Sequence, residues 1–485
     1  MSRLVFASEH LKNQRSPHLQ PHAAAFKDSK FGPLWIDQDA RPERQAHLTD
    51  SVSCELLIVG GGFTGLWAAL QARERRPDLD IVLIEATEIG DGASGRNGGF
   101  LKSSLVHGDN NGEFHFPGEE DLMEELGRQN MREFISSLGK YKIDARYEGT
   151  GEIEVNLRPD QNAESEEWVE ELREEGRDVV WLDKEAMQSE VHSPTYMGGV
   201  WDRQGQDGVI DPAYLCWGLK RVIQELGVRV FEGTPLNRMD RKGDGMEVEC
   251  DHGRITCQKI VIATNAFRNP VKRARRRVIP VWDHVVATEP LNDEQMKSLG
   301  WKGRQGLGDN LNMFHYYRLT HDNRIVWGGG TSVAYRYGSQ THGVGGDSPA
   351  LFEKNYRDLI ETFPQLSGVR ITHRWSGIIA STTRFCMTPG TAFDGRVAWS
   401  VGYTGLGVGA TRFGARVALE LLGYDPTDIL QLQMVQRESL AWPPEPVRWP
   451  AVHFTMKEMA RADRNAGRRG LWLKLLDRLN LGFAC

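Results

Sequence analysis

Apolar residues come mostly in short runs of strand length, separated by stretches in which they recur at helical spacing. Residues 54–59 form one such run, 66–75 then read as a helix, and 80–84 as a second strand. Helical periods follow at 119–138 and 161–176, and between them 145–148 and 151–155 alternate like a strand pair. Residues 213–226 read as a helix stopped by Gly227, 228–232 as a strand, and 246–250 with 254–257 as a hairpin. An apolar, β-branched strand runs from 259 and ends in the small residues Ala263 and Thr264. From 278 to 374 strand signals and aromatic residues dominate, at 281–288, 313–319 and 324–329. The run 375–383 leads to a strand at 397–401, a glycine-rich loop at 402–410 and a helix at 411–422. A basic amphipathic helix is expected within 454–481, docked on the protein's own surface or a sister subunit.

Strands alternating with helices, then a block rich in strands, imply a mixed α/β and α+β architecture. Residues 1–50 carry Pro17, Pro21, Pro33 and Pro42 with little periodicity and read as a surface arm anchored at 31–36.

Composition narrows the class. The chain has 485 residues, 40% hydrophobic and 26% charged, enough for two or three domains. A net charge of −7 gives no nucleic-acid signature, and no apolar run is long enough to span a membrane. Residues 1–20 lack the apolar centre of a secretion signal, so a cytoplasmic enzyme is expected. Six scattered cysteines suggest neither a zinc site nor a disulfide framework. The glutamates of 164–175 read as a solvated helix face and the basic cluster 272–277 as a solvated loop.

Candidate chemistry begins after the first strand. Gly60, Gly62 and Gly65 fit Gly-x-Gly-x-x-Gly, followed by a helix, a strand and Glu85 twenty positions past the third glycine. In a dinucleotide fold Gly60 permits the turn, Gly62 admits a pyrophosphate, and Gly65 lets helix and strand pack closely. The helix start presents unpaired N–H groups to phosphate, and Glu85 suits a ribose hydroxyl. Gly92, Gly95, Gly98 and Gly99 lie in a loop whose Ser94, Arg96 and Asn97 offer donors. Gly402, Gly405 and Gly407 open a second strand–loop–helix unit, whose helix start would suit an isoalloxazine that becomes anionic on reduction. At strand spacing Tyr316 and Arg318 share one face, and His315 and Tyr317 the other. Aromatic walls with one cation suit a pocket for a polar, partly aliphatic amine; an ordinary half-buried sheet suits the same pattern.

Several runs together resemble the FAD-dependent D-amino-acid oxidase superfamily, in its glycine oxidase and sarcosine oxidase-like branch. They are Gly92-Ala93-Ser94-Gly95-Arg96-Asn97-Gly98-Gly99, Tyr316-Tyr317-Arg318-Leu319-Thr320, Asp322-Asn323-Arg324, Thr362-Phe363-Pro364-Gln365-Leu366, Arg374-Trp375-Ser376-Gly377 and Gly402-Tyr403-Thr404-Gly405-Leu406-Gly407. The match covers roughly residues 50–425.

The resemblance implies a Rossmann-like FAD-binding domain of discontinuous segments (51–110, 205–277, 375–425). It implies a β-sheet-rich substrate domain (111–204, 278–374) and leaves 426–485 as a helical extension. Cofactor contacts are expected at Gly60, Gly62, Phe63, Thr64, Gly65, Glu85, Ala86, Gly92, Ala93, Ser94, Arg96, Asn97, Gly98 and Gly99. Leu236, Ala263, Thr264, Gly402, Gly405, Leu406, Gly407 and Val408 complete that set. His315, Tyr316 and Arg318 are the catalytic candidates, and Tyr317, Trp375 and Arg384 the further substrate contacts.

The implied reaction is oxidation of a C–N bond in a small primary or secondary amine. Hydride passes from the carbon beside a neutral amine to flavin N5, and the imine hydrolyses. Sarcosine oxidases carry an oxygen-activating lysine in the strand matching 324–328; this one has none, so oxidase and dehydrogenase both stand, oxidase favoured. Those enzymes also tether flavin to a cysteine, from whose position Cys386 is displaced, so non-covalent FAD is expected. An NAD-dependent dehydrogenase is the rival, disfavoured because it would leave the second glycine unit without a ligand. No metal is expected, and self-association is left open.

Overall fold

A computed structural model describes residues 22–203, 205–267, 269–341 and 346–482; the polar start of the chain and Cys485 lie outside them. Two large sheets organise it. The eight-stranded sheet grows around Val52–Val59, whose Leu56, Leu57 and Ile58 are buried on both faces. Such a run needs cover above and below, which suits a parallel strand. Its parallel neighbours are Arg254–Ile262 and Ile81–Ile84, with Arg229–Phe231 beyond. Val397–Val401 joins in parallel beside Arg254–Ile262 and pairs antiparallel with Thr388–Ala392. The expected hairpin forms between Gly245–Cys250 and Arg254–Ile262, and its second arm continues as one strand into the sheet centre. Helices Phe63–Arg75, Pro212–Glu225 and Gly407–Leu421 cover the sheet.

Nine strands of the ten-stranded sheet run in the order Lys30–Phe31, Ile371–Ser381, Ile279–Thr288, Ile325–Gly329, His315–Leu319, Gly306–Asp309, Glu152–Asn156, Gly198–Asp202, Val179–Leu182, and the tenth, Ala334–Tyr335, pairs with Ile279–Thr288. Helix Pro349–Thr362 packs on its far side, around Tyr317, Trp327 and Phe363. Its register sets one row that matters below: Glu154 pairs Gly308, Gly308 pairs Tyr316, and Tyr316 pairs Gly328. Residues directly opposite in a ladder share a face, so Glu154 and Tyr316 look the same way with glycine between them.

Several expectations change. Residues 145–148 are not a strand partner for Glu152–Asn156; only Glu148 makes an isolated bridge, to Val209. The true partners, Gly198–Asp202 and Gly306–Asp309, are distant in sequence, and local alternation carries no information about them. The run from 375 forms the end of Ile371–Ser381, which belongs to the larger sheet, so residue 375 falls inside a strand of that sheet. The arm is anchored near its expected place: Lys30–Phe31 pairs in parallel with Ile371–Ser381, and Trp35 is buried. At the other end two helices replace the single one expected, Arg448–Arg464 and Leu471–Arg478. Ala466 and Gly467 have positive φ, which breaks the helix between them. Both helices dock on the protein's own surface, where Asp463 accepts from Asn312 and Met313.

Candidate active site and cofactor cradle

The first glycine turn does what its spacing requires. Gly60 has φ +114°, and a Cβ there would lie 2.7 Å from the Ala263 carbonyl oxygen. A Cβ on Gly65 would stand 1.9 Å from the Gly60 carbonyl oxygen, so helix and strand meet there backbone to backbone. A Cβ on Gly62 would approach Ser94 Oγ at 2.9 Å, and that hydroxyl accepts from Phe63 N at 2.9 Å. Glu85 ends its strand with Oε2 accepting from Gly61 N at 2.7 Å and Oε1 from Thr87 N at 3.0 Å. Burial raises the carboxyl pKa, and those two N–H groups oppose the rise.

The second glycine loop is a clamped structure. Asn97 donates to the Ala93 and Ser94 carbonyls and accepts from Gly99 N. Two tryptophans pin it from outside: Trp35 Nε1 donates to the Asn97 carbonyl and Trp375 Nε1 to the Arg96 carbonyl, each at 2.8 Å. The two glycine units are tied where Thr64 Oγ1 donates to Tyr403 Oη at 3.0 Å. Behind them a buried ion pair, Lys220 Nζ to Glu232 Oε2 at 2.7 Å, holds the 85–95 loop, since Glu232 also accepts from Ile89 N.

These units open into one cavity of about 2430 Å³. Gly60, Gly62, Phe63, Thr64, Glu85, Ala86, Gly92, Ala93, Ser94, Arg96, Asn97 and Gly98 line it, with Leu236, Ala263, Thr264, Gly405, Leu406, Gly407 and Val408. Gly65, Gly99 and Gly402 sit behind the wall; their backbones shape it through close packing.

The aromatic strand divides. Tyr316 lines the cavity: a Cβ on Gly98 would be 2.5 Å from its ring, and one on Gly328 2.4 Å from its hydroxyl. Its Oη donates to Asp283 Oδ2 at 2.5 Å, while Asp283 Oδ1 accepts from Gly329 N at 3.1 Å. Burial pushes the Asp283 carboxyl up to about 6, against the Tyr316 hydrogen bond that pulls it down.

The remaining candidates do not line the cavity. Tyr317 is stacked on Trp327 with ring centroids 4.2 Å apart and bonds Tyr196 in the far core, because strand alternation sends it to the opposite face. Arg318 shares the Tyr316 face but is covered by Trp35 and donates to the Ile210 and Gly99 carbonyls; burial lowers its pKa to about 10. Trp375 is fully buried as a loop clamp. Arg384 spends its donors on the Arg437, Met387 and Met434 carbonyls. His315 bonds Asp309 at 2.7 Å and Asp358 at 3.1 Å. Burial alone would lower its pKa, but those two carboxylates carry it up to about 9, so the ring is a cation within the wall.

Sequence reasoning missed Asp283, Lys102, Glu152 and Glu154, all of which line the cavity. No motif marks them; sheet register brings Asp283, Glu152 and Glu154 to the Tyr316 face, and Lys102 comes from the loop after Phe100–Leu101 to pair with Glu152.

The match to known proteins now has a geometry to explain. The model of a family described as FAD dependent oxidoreductase fits residues 55–421. The chain belongs to this family. It is 32% identical over 393 residues to gamma-glutamylputrescine oxidoreductase of Escherichia coli (strain K12), covering 78% of this chain and 85% of that one. Its fold is similar to L-proline dehydrogenase from P. horikoshii, with TM-score 0.63, 17% identity, and 81% and 98% of the two chains covered. Glycine oxidase from Geobacillus kaustophilus matches with TM-score 0.63 at 17% identity, over 77% and 96%.

FAD is therefore the cofactor, and the residues present fit it. At Gly60, Gly62, Gly65 and Gly98 a Cβ would collide with the protein's own atoms, so the backbone that shapes the cradle requires glycine there, and Thr264 Oγ1, on the cavity wall, is buried without a hydrogen-bond partner. Among the described residues no cysteine lines the cavity, and Cys386 is buried in an apolar cluster, which fits flavin held without a covalent bond.

Proposed function

We propose that this family member oxidises the C–N bond of an amine, and that Tyr316 with Asp283 receives the amino group. The observation that carries the reading is the hydrogen-bonded Tyr316–Asp283 pair on the wall of the cavity that holds the cofactor. An aliphatic amine arrives as an ammonium ion at neutral pH and must lose a proton before its carbon can give up hydride. A buried carboxylate behind a hydroxyl suits both needs. The ammonium donates to Tyr316 Oη, and as its proton moves there the tyrosine proton passes to Asp283 Oδ2. Gly98 has no side chain and packs directly against the Tyr316 ring, which fixes where the hydroxyl stands. Bound FAD supplies the two-electron acceptor.

The printed name of the Escherichia coli relative makes gamma-glutamylputrescine the first substrate to try, with simple primary and secondary amines beside it. Oxygen is the proposed final acceptor. The cytoplasm is the proposed setting, which five free cysteines among the described residues support. No helix of the described residues is long and apolar enough to cross a membrane. The test is anaerobic titration of the purified flavoprotein with these amines, followed by air. Loss of the flavin absorption bands under nitrogen and their return in air is expected. If none of the amines bleaches the flavin, the reading is wrong; if bleaching occurs but air does not restore colour, another carrier takes the electrons.

A further inference from the structure

Beyond the amine-receiving pair, the same sheet face carries a second feature that no part of the oxidation chemistry uses. Glu152 and Glu154 stand on that face, and Asp309, at the end of the neighbouring strand and on the His315 side, also reaches the cavity wall. Two are engaged, Glu152 by Lys102 Nζ at 2.7 Å and Asp309 by His315 Nδ1 at 2.7 Å. Among the described residues Glu154 alone of the three has no hydrogen-bond or ion-pair partner. It is accessible from within the cavity, and burial with the like charge of Glu152 lifts its carboxyl to about 7 against the pull of the more distant Lys102. An unpaired carboxylate in such a place is costly unless something cationic meets it.

The register says where it stands. Glu154, Gly308 and Tyr316 lie side by side in one row across three strands; Gly308 brings no side chain, and Glu152, held by Lys102, leans over it with Oε1 3.3 Å from where a Cβ would stand. Neighbouring strands are about 4.8 Å apart, so the Glu154 and Tyr316 backbones are separated by about 10 Å. The cavity, about 2430 Å³, is more than twice the roughly 1,000 Å³ upper end of pockets for drug-sized ligands, so it has room for an extended second ligand beside the cofactor.

We infer that Glu154 is the subsite for a second, distal cationic group of the substrate, so that the preferred amine is an extended diamine or polyamine. This rests on the amine reading given above. One ammonium sits at Tyr316 and Asp283, the aliphatic chain runs through the cavity above the neutralised Glu152–Lys102 pair, and the far ammonium donates to Glu154. Lys102 does not offer the same place to an anionic tail, because its charge is already taken by Glu152.

The test uses the purified holoenzyme under nitrogen and reads dissociation constants from flavin bleaching. The probes are 1-aminoalkanes, α,ω-diaminoalkanes and ω-aminoalkanoic acids of matched length, from three carbons to ten. The wild type should bind long diamines at least tenfold more tightly than 1-aminoalkanes of the same length, and the ω-carboxylates most weakly. In Glu154→Gln the diamine-to-monoamine preference should fall about tenfold, and Glu154→Asp should restore part of it. Equal binding of diamines and monoamines by the wild type would overturn the inference without needing any variant. An undiminished preference in Glu154→Gln would overturn it too. If no amine of any series bleaches the flavin, the amine reading itself has failed.

Discussion

Asp283 offers the sharpest test of the chemistry. Replacing it by asparagine keeps the shape of the side chain and removes the charge that Tyr316 Oη addresses at 2.5 Å. A hydrogen bond to a charged group is worth about 1.5–3 kcal/mol, so amine binding and flavin reduction together should fall about 10- to 150-fold. The pH dependence gives a second, independent number. Asp283 titrates near 6, so the wild type should lose amine-dependent flavin reduction as pH falls through 6 and the carboxyl takes up its proton. Asparagine has no such proton, and the acid limb should vanish from the variant. The stability sign runs the other way. Because the folded-state pKa lies above the unfolded value of 3.8, the ionised carboxylate costs stability above pH 6 and the cost disappears towards pH 4. Acid therefore should not weaken the fold through this residue. The measurement is anaerobic stopped-flow bleaching from pH 5 to 9, with flavin content recorded for each preparation. An Asp283→Asn protein that keeps its flavin and the wild-type acid limb would refute the assignment.

Two further perturbations address the cradle. Gly65→Ala would place a Cβ 1.9 Å from the Gly60 carbonyl oxygen, and overpacking at such a contact costs about 1–3 kcal/mol, so the ratio of flavin to protein absorbance on purification should drop sharply. Wild-type flavin content in that variant would contradict the packing account. Lys220→Met leaves Glu232 in the core behind the loop without its cation, held only by the Ile89 and Gln45 N–H groups; a loss of about 3–5 kcal/mol in denaturant unfolding of the apoprotein is expected, and a loss under 1 kcal/mol would show the pair to be unimportant.

The amino-acid pattern revealed the cradle and left most of the substrate side obscure, for a reason visible at particular residues. Gly60, Gly62, Gly65 and Glu85 act through a turn, a helix start and the next strand, all within about one βαβ unit, so their spacing alone carries the message. Tyr316 was legible because alternation fixes its face, but the same alternation put Arg318 beside it. Only the docking of the arm, which lays Trp35 over that guanidinium, takes Arg318 out of the cavity. Trp375 looked like a substrate wall and is a clamp on the Arg96 carbonyl, since its strand reaches the loop edge-on.

By itself, the sequence determined that a strand, a glycine turn and an acid would bind a dinucleotide. Two further glycine loops, Gly92 to Gly99 and Gly402 to Gly407, pointed to FAD. Tertiary structure alone decided which side chains line the cavity beside those loops. Asp283 meets Tyr316 across three strands, and Glu154 reaches the same face from a strand more than 150 residues away in the chain. Local spacing records what neighbouring residues can do; it does not record which distant strands will lie side by side.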